Sequence, residues 1–439
     1  MRLRGGGLIA LALCGAIGLA APGRDEARSA APASTAPASA ASAAGRDPVT
    51  MWVRYPSARV VLDPAAALGR EMFFDKTLSA SGRQSCASCH DPAHAYGPPD
   101  GAAVQPGGPA LERLGTRAVP SLRYLRFTPQ FSRHLAQPSP DGVEDEGPAG
   151  GFTRDGSAQT LHEQALLPLL NPVEMANADV AQIAARLRAA SYAARFRQMF
   201  GDAVFEHPSA AAAKAGVALQ AFQEQDASFQ PYTSKFDAAM SGNAQFSAQE
   251  LRGYTTFNDP QKGNCAKCHL DAPGPGGRPA QFTDFGMVAL GVPRNLDIAA
   301  NRDPRFFDLG VCGPVRHDLA RETQFCGMFK TPTLRNSASR GVFFHNGRFH
   351  AMDEVLRFYA ERDTDPGKWY PKANGKVQRF DDLPARYRDN VDRVDVPFTR
   401  HAGQKPLLDD ADIRGLAAFL KTLDDGYSLE SGGRASVFN

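Results

Sequence analysis

The sequence predicts an all-α fold of two similar halves, joined and covered by long irregular loops. Three observations predict it. Apolar residues recur at three- and four-residue spacing over 178–200 and 209–229, and again on one face of a segment opening at Asp409. No run of alternating residues is long enough for a substantial sheet. And Cys86-Ala87-Ser88-Cys89-His90 returns as Cys265-Ala266-Lys267-Cys268-His269, one copy in each half.

Cys-x-x-Cys-His is the attachment signature of c-type haem. Each thiol adds to one haem vinyl group, and the adjacent histidine reaches the iron as axial ligand. Zinc would need further ligand pairs to complete its tetrahedra, and no other Cys-Cys pair exists. The chain therefore carries two covalently bound haems c. Cys86, Cys89, Cys265 and Cys268 attach them, and His90 and His269 serve as iron ligands. The halves read as two cytochrome c-like haem domains, over 48–235 and 236–439.

The ends and the composition fit this. Arg2 and Arg4 precede the apolar run Leu8 to Ala20, which closes in small residues. That is the layout of a secretory signal peptide over 1–21, too short for a comfortable membrane span. Export places the chain in the periplasm, and covalent haem attachment takes place outside the bacterial cytoplasm. Residues 22–47 are mostly Ala, Pro and Ser and read as a disordered linker. With 439 residues, 43% hydrophobic and 22% charged, the remainder has ordinary globular composition. A formal charge of +2 without a basic, aromatic-studded cluster excludes nucleic acid as partner. Of seven cysteines, Cys14 falls in the signal and four carry haem. Cys312 and Cys326 remain, in a Gly-rich stretch of an exported protein; a disulfide is the leading reading and two unpaired thiols the alternative.

The elements follow in order. Residues 64–74 form a short helix with Leu68, Met72 and Phe73 inward, leading to the first motif. From 91 to 151 the chain is rich in Gly and Pro, a covering loop for a haem. Helices follow over 160–170, 178–200 and 209–229. Ser247, three before Glu250, is a capping-box start for the helix entering the second motif. The last helix carries Ile413, Leu416, Phe419, Leu420 and Leu423 on one face.

A weak internal repeat distinguishes the two irons. Pro120-Ser121-Leu122-Arg123 resembles Pro332-Thr333-Leu334-Arg335. Aligning Gly156 with Gly347 pairs Asp155 with Asn346, Leu161 with Met352 and Glu163 with Glu354. Tyr359, on a predicted helix over 353–362, then falls opposite Pro168. A phenolate can ligate ferric haem iron, whereas proline has no donor atom. One haem can be six-coordinate while the other keeps an open face. Met352 pairs with Leu161, which favours packing over ligation. The repeat alone also leaves Tyr359 open as a buried aromatic bonded elsewhere.

From about Leu62 to Leu423 the chain resembles the bacterial dihaem cytochrome c peroxidases and their relative MauG, the methylamine-utilisation dihaem enzyme. The matching stretches are Phe73-Phe74-Asp75 through the first motif, Leu170-Asn171-Pro172-Val173-Glu174-Met175, and Phe329-Lys330-Thr331-Pro332-Thr333-Leu334-Arg335-Asn336. Phe344-His345-Asn346-Gly347-Arg348-Phe349 and Val355-Leu356-Arg357-Phe358-Tyr359 complete them. The resemblance implies a peroxidatic first haem (His90) and an electron-transfer second haem (His269). It puts Tyr359 where the peroxidases have a Met ligand, the MauG-like choice, which lowers the potential of that haem. The family's distal Glu follows a Thr-Leu pair; here His162 and then Glu163 follow it, and either suits proton transfer during peroxide cleavage. The upstream family glutamine aligns with Phe152. A gating His of the peroxidases aligns with Pro106, and the loop holds only His94, so the first haem is expected to be open to peroxide without prior reduction.

Relatives place a Trp between the haems. Trp52 and Trp369 do not correspond to it, which makes Tyr124 the nearest aromatic candidate beside a plain core role. Relatives also hold a calcium ion between the domains on main-chain carbonyls near the stretch aligning with Arg340 to Val342. The resulting expectation is a periplasmic dihaem peroxidase that reduces hydrogen peroxide. Its expected donor is a small soluble one such as a monohaem cytochrome c or a cupredoxin. A MauG-like oxidase of a partner protein and a non-enzymatic electron carrier are the alternatives, and a homodimer stays open.

Overall fold

Asp63 opens the first helix by accepting the backbone N–H of Ala66, with Pro64 preset at the first helical position. The same kind of start recurs along the computed structural model, which describes residues 61–134 and 147–428. The signal peptide, the linker and Cys14 lie outside the described residues. Helix α1 runs Pro64–Phe74, α2 is the short turn Cys86–Cys89 and α3 spans Leu161–Leu170. Then come α4 (Val180–Ala189), α5 (Ala193–Phe200), α6 (Pro208–Gln225) and α7 (Lys235–Met240). The second half holds α8 (Ala248–Asn258), α9 (Met352–Glu361), α10 (Pro366–Trp369) and α11 (Asp410–Lys421). Among the described residues, sheet is confined to three antiparallel ladders of two residues per strand. The fold is mostly helical.

The Ser247–Glu250 capping box forms as expected, and Asp409 with Asp412 makes another at α11. The helix expected over 178–200 is instead two. Ala190 turns out of the helical region (ψ 152°), and Tyr192 goes into the core, where its hydroxyl donates to Asp75. A buried aromatic with a polar tip outweighs the helix propensity of the alanines around it.

The two halves repeat the same construction. In the first, α1 crosses α6 so closely that a Cβ on Gly69 would lie 1.9 Å from the Ala218 carbonyl oxygen. In the second, α8 crosses α11 with Gly253 at the same 1.9 Å from the Gly415 carbonyl. Only glycine permits either crossing. Around the first crossing Met72, Phe73, Leu219, Phe222 and Phe229 form one core, and around the second Phe257, Phe282, Leu416 and Phe419 form another.

The weak sequence repeat is exact in the backbone. Phe152 bridges Ala158, and Phe343 bridges Phe349 at the same offset. Thr153 and Phe344 are both left-handed (φ 71° and 64°), as are Gly156 and Gly347 (66° and 62°).

Candidate functional site

Each attachment motif follows the helix that makes the close crossing of its half, α1 or α8. All four thiols are free of disulfide bonds. Burial pushes Cys86 and Cys265 up to about 12 and Cys89 up to about 11, and it raises Cys268 as well. Such surroundings favour uncharged sulfur, which a thioether supplies.

The two histidines are held identically. His90 Nδ1 lies 3.1 Å from the Tyr96 carbonyl oxygen, and His269 Nδ1 lies 3.0 Å from that of Phe282. Tyr96 and Phe282 are left-handed (φ 54° and 53°), and each carbonyl also accepts a leucine N–H, from Leu122 at 3.1 Å and Leu334 at 3.3 Å. A carbonyl only accepts, so Nδ1 carries the proton in both rings and Nε2 keeps its lone pair. Burial lowers both imidazoles to about 4, so they are neutral at physiological pH and could each offer Nε2 to an iron.

One cavity brings the second motif together with its expected sixth ligand: Cys265, Cys268, His269 and Tyr359 all line it. Burial drives the Tyr359 phenol well up, with the nearby cysteine sulfurs adding to the rise. Its ring packs among Phe344, Phe358 and Phe398, and its hydroxyl has no hydrogen-bond partner among the described residues. A phenol that faces the cavity of the second motif without a polar protein partner could serve as an iron ligand there. The site fits a haem. Met352, two turns earlier on α9, also lines the cavity and packs into both apolar clusters of this half. The first-half counterpart of Tyr359, Pro168, lies inside α3.

The wall toward the first half is polar. Arg154 and His345, equivalent in the repeat, both line the cavity, as do Lys330 and Asp382. Arg154 Nε donates to the Ala118 carbonyl at 2.8 Å, and Lys330 Nζ donates to that of Gly151. Burial lowers Arg154 to about 9 and Lys330 to about 7. Neither forms a salt bridge with a carboxylate among the described residues, and haem propionates would supply the missing negative charge. His345 stacks on Phe329 with centroids 3.8 Å apart, its Nε2 lying 3.2 Å from Asp382. Single-motif reading missed Arg154, Lys330, His345 and Asp382 as site residues, although the repeat pairs the first with the third.

The expected distal pair, His162 and Glu163, sits in the first turn of α3. His162 Nδ1 lies 2.9 Å from Gln220 Oε1 on α6, and its backbone carbonyl presses on Gly216. Glu163 folds back to accept the Gln159 N–H at 2.8 Å, closing the end of α3. Neither lines the cavity; Gln164 and Phe152 do. Each helical residue turns about 100°, so neighbours in a motif face different ways.

Elsewhere, Pro106 is held in a two-residue ladder with Leu114. His94 is exposed and pairs with Asp91 at 2.7 Å. Tyr124 lines the cavity, its ring 4.9 Å from that of Tyr232 and its hydroxyl donating to Asp425 at 2.8 Å. Arg335 lies over both rings and pairs with Asp237 at 2.8 Å. Trp369 packs against Phe349 and Phe358, and Trp52 lies outside the described residues. Cys312 and Cys326 are joined by a disulfide.

Comparison with known proteins accords with this geometry. The family model for di-haem cytochrome c peroxidase matches residues 63–245. The chain is 34% identical to the methylamine utilization protein MauG of Paracoccus denitrificans, over 84% of this chain and 90% of that protein. It is 28% identical to the cytochrome c551 peroxidase of Nitrosomonas europaea, over 66% of this chain and 71% of that protein. The crystal structure of the diheme peroxidase BthA from Burkholderia thailandensis superposes with a TM-score of 0.74 at 38% identity, covering 83% of this chain and 87% of that one.

Fold and motifs together define a dihaem c-type cytochrome. The chain belongs to the di-haem cytochrome c peroxidase and MauG family, and it is an enzyme of that oxidoreductase type.

Proposed function

We propose that the chain is a periplasmic peroxidase that reduces hydrogen peroxide at the first haem, with electrons relayed through a second haem ligated by His269 and Tyr359. The observation that carries the reading is an asymmetry inside a repeat. Tyr359 stands unpartnered in the cavity with the second motif, while its counterpart in the first half is Pro168, which can donate nothing. The haems supply the redox chemistry when bound.

The protein's part is ligation, positioning and polarity. His90 and His269 present neutral Nε2 lone pairs. Lys330 and Arg154 offer charge to propionates. Gln164, the amide on the cavity face of α3, can orient a small polar molecule. Pro106 takes the gating position without a donor atom, so the first site is ready without prior reduction. Tyr124, hydrogen-bonded to Asp425, is the aromatic between the halves. The reductant is a small soluble donor, a monohaem cytochrome c or cupredoxin. Export rests on the N-terminal sequence; no helix among the described residues is long and apolar enough to cross a membrane.

A second reading keeps the peroxide chemistry and makes a partner protein the electron donor, as the resemblance to MauG implies. Tyr359 favours it, because a phenolate stabilises oxidised iron more than a thioether does. Electron paramagnetic resonance of the resting holoprotein tests the shared core. One high-spin and one low-spin ferric signal are expected, with the low-spin signal altered in Tyr359→Phe. Two low-spin signals would instead describe an electron carrier. Turnover of peroxide with a reduced cytochrome, against turnover that needs a periplasmic protein fraction, then separates the two enzymatic readings.

A further inference from the structure

The family resemblance brings with it a calcium ion on carbonyls near Arg340 and Val342, and the residues present do not fit one. The Arg340 side chain is already there. Its Nη2 donates to the Val119 carbonyl at 2.9 Å and its Nε to that of Val342 at 3.3 Å. The guanidinium thus spans from the segment before Pro120 to the segment after Arg340 itself, and it lines the cavity. Calcium asks for six to eight oxygen ligands, usually with carboxylates among them.

The protein's own side chains facing this place are cationic. Arg340 forms no salt bridge among the described residues, and burial alone lowers it to about 10. Two groups feel its charge, Arg154 and His90, each lowered chiefly by burial and further by Arg340. The nearby carboxylates of Asp155 and Asp308 are taken by Arg117, at 2.6 Å each. A divalent ion placed here would meet two guanidinium groups and carbonyls already engaged as acceptors.

We propose that Arg340 stands in for the calcium ion: it cross-links the 117–120 and 340–342 segments with a fixed side-chain charge, so that the holoprotein binds and needs no calcium at this place. A bound ion can be withdrawn by a chelator, whereas an arginine cannot. The inference concerns assembly of the site and is independent of which substrate the enzyme takes.

Elemental analysis of the dihaem protein after EGTA treatment and gel filtration tests it first. No retained calcium is expected, and thermal unfolding and the resting paramagnetic spectrum should be the same with EGTA or with millimolar calcium. One calcium per chain surviving gel filtration, or a melting temperature that calcium raises by several degrees, would overturn the proposal. The second arm replaces the cation. Arg340→Ala should lower the melting temperature by several degrees and disturb the high-spin signal, and Arg340→Lys should recover part of both. A melting temperature and spectrum unchanged in Arg340→Ala would show that the guanidinium cross-links nothing. If Arg340→Ala yields no holoprotein, Arg340→Lys and the metal analysis of the unmodified protein decide.

Discussion

Asp155 is fully buried, and its charge survives only because of what surrounds it. Burial pushes its carboxyl up, but the Arg117 guanidinium and the Thr153 and Ser157 donors outweigh this and hold it below the usual carboxylate range. A carboxyl depressed in the folded state contributes stability above its unfolded value, and the contribution is lost as pH falls through the folded one. Acid unfolding followed by circular dichroism should therefore steepen below about pH 4, the unperturbed aspartate value. Asp155→Asn should be less stable at neutral pH and lose less on acidification; equal slopes would reject this. On α3 the prediction concerns rotation. Of the two, Gln164 lines the cavity that holds the second motif and His162 does not; a distal role for that face of α3 predicts that Gln164→Leu depresses peroxide turnover more than His162→Ala. The reverse order in steady-state assays would return the distal role to His162. The sequence reads residue types and spacing well, yet the face a helix presents depends on what it packs against. Here that partner is Gly216 of α6, which lies far along the chain.

At the scale of elements, both halves rest on a helix crossing that admits no side chain. Gly253→Ala would force α8 off α11, and overpacking of this kind costs about 1–3 kcal/mol. Differential scanning calorimetry of the holoprotein should show the loss, and an unchanged melting temperature would mean the crossing relaxes freely. The disulfide of Cys312 and Cys326 closes a loop of 14 residues. Replacing both by Ser should cost about 3 kcal/mol by the loop-entropy account, read as a shifted denaturation midpoint. Most of these elements were legible. Ser247 and Asp409 announce their helices, and the apolar spacing supplies the rest. The break between α4 and α5 was not, because it is set by Tyr192 reaching Asp75, a contact that local pattern does not contain. The polar cavity wall was hidden for a similar reason. Arg154 and Lys330 come into view as wall residues only once the fold buries them.

Across the whole molecule, Asp425 gathers donors from both halves. Arg123 and Tyr124 reach it from the loop after the first motif, Thr233 from before α7, and Asn336 from the stretch after Pro332. Asp425→Ala should strip this convergence and leave the Tyr124 hydroxyl without its acceptor. A lowered melting temperature is expected, together with slower electron exchange between the haems by stopped-flow absorbance. Tyr124→Phe separates the effects, since it keeps the packing and removes only the hydroxyl. Exchange as fast in both variants as in the parent would exclude Tyr124 from the route.

The shared carbonyls behind His90 and His269 bear on redox tuning. A carboxylate behind a ligating imidazole makes that imidazole more electron-rich, and a backbone carbonyl does so less. Here each carbonyl is divided between a histidine and a leucine N–H, in the same left-handed backbone shape in both halves. These matched contacts give the two imidazoles no reason to differ in donor strength. Under the proposed ligation, a separation between the midpoint potentials of the two irons is expected from Tyr359 opposite one and Pro168 opposite the other, along with differences in burial and nearby charge.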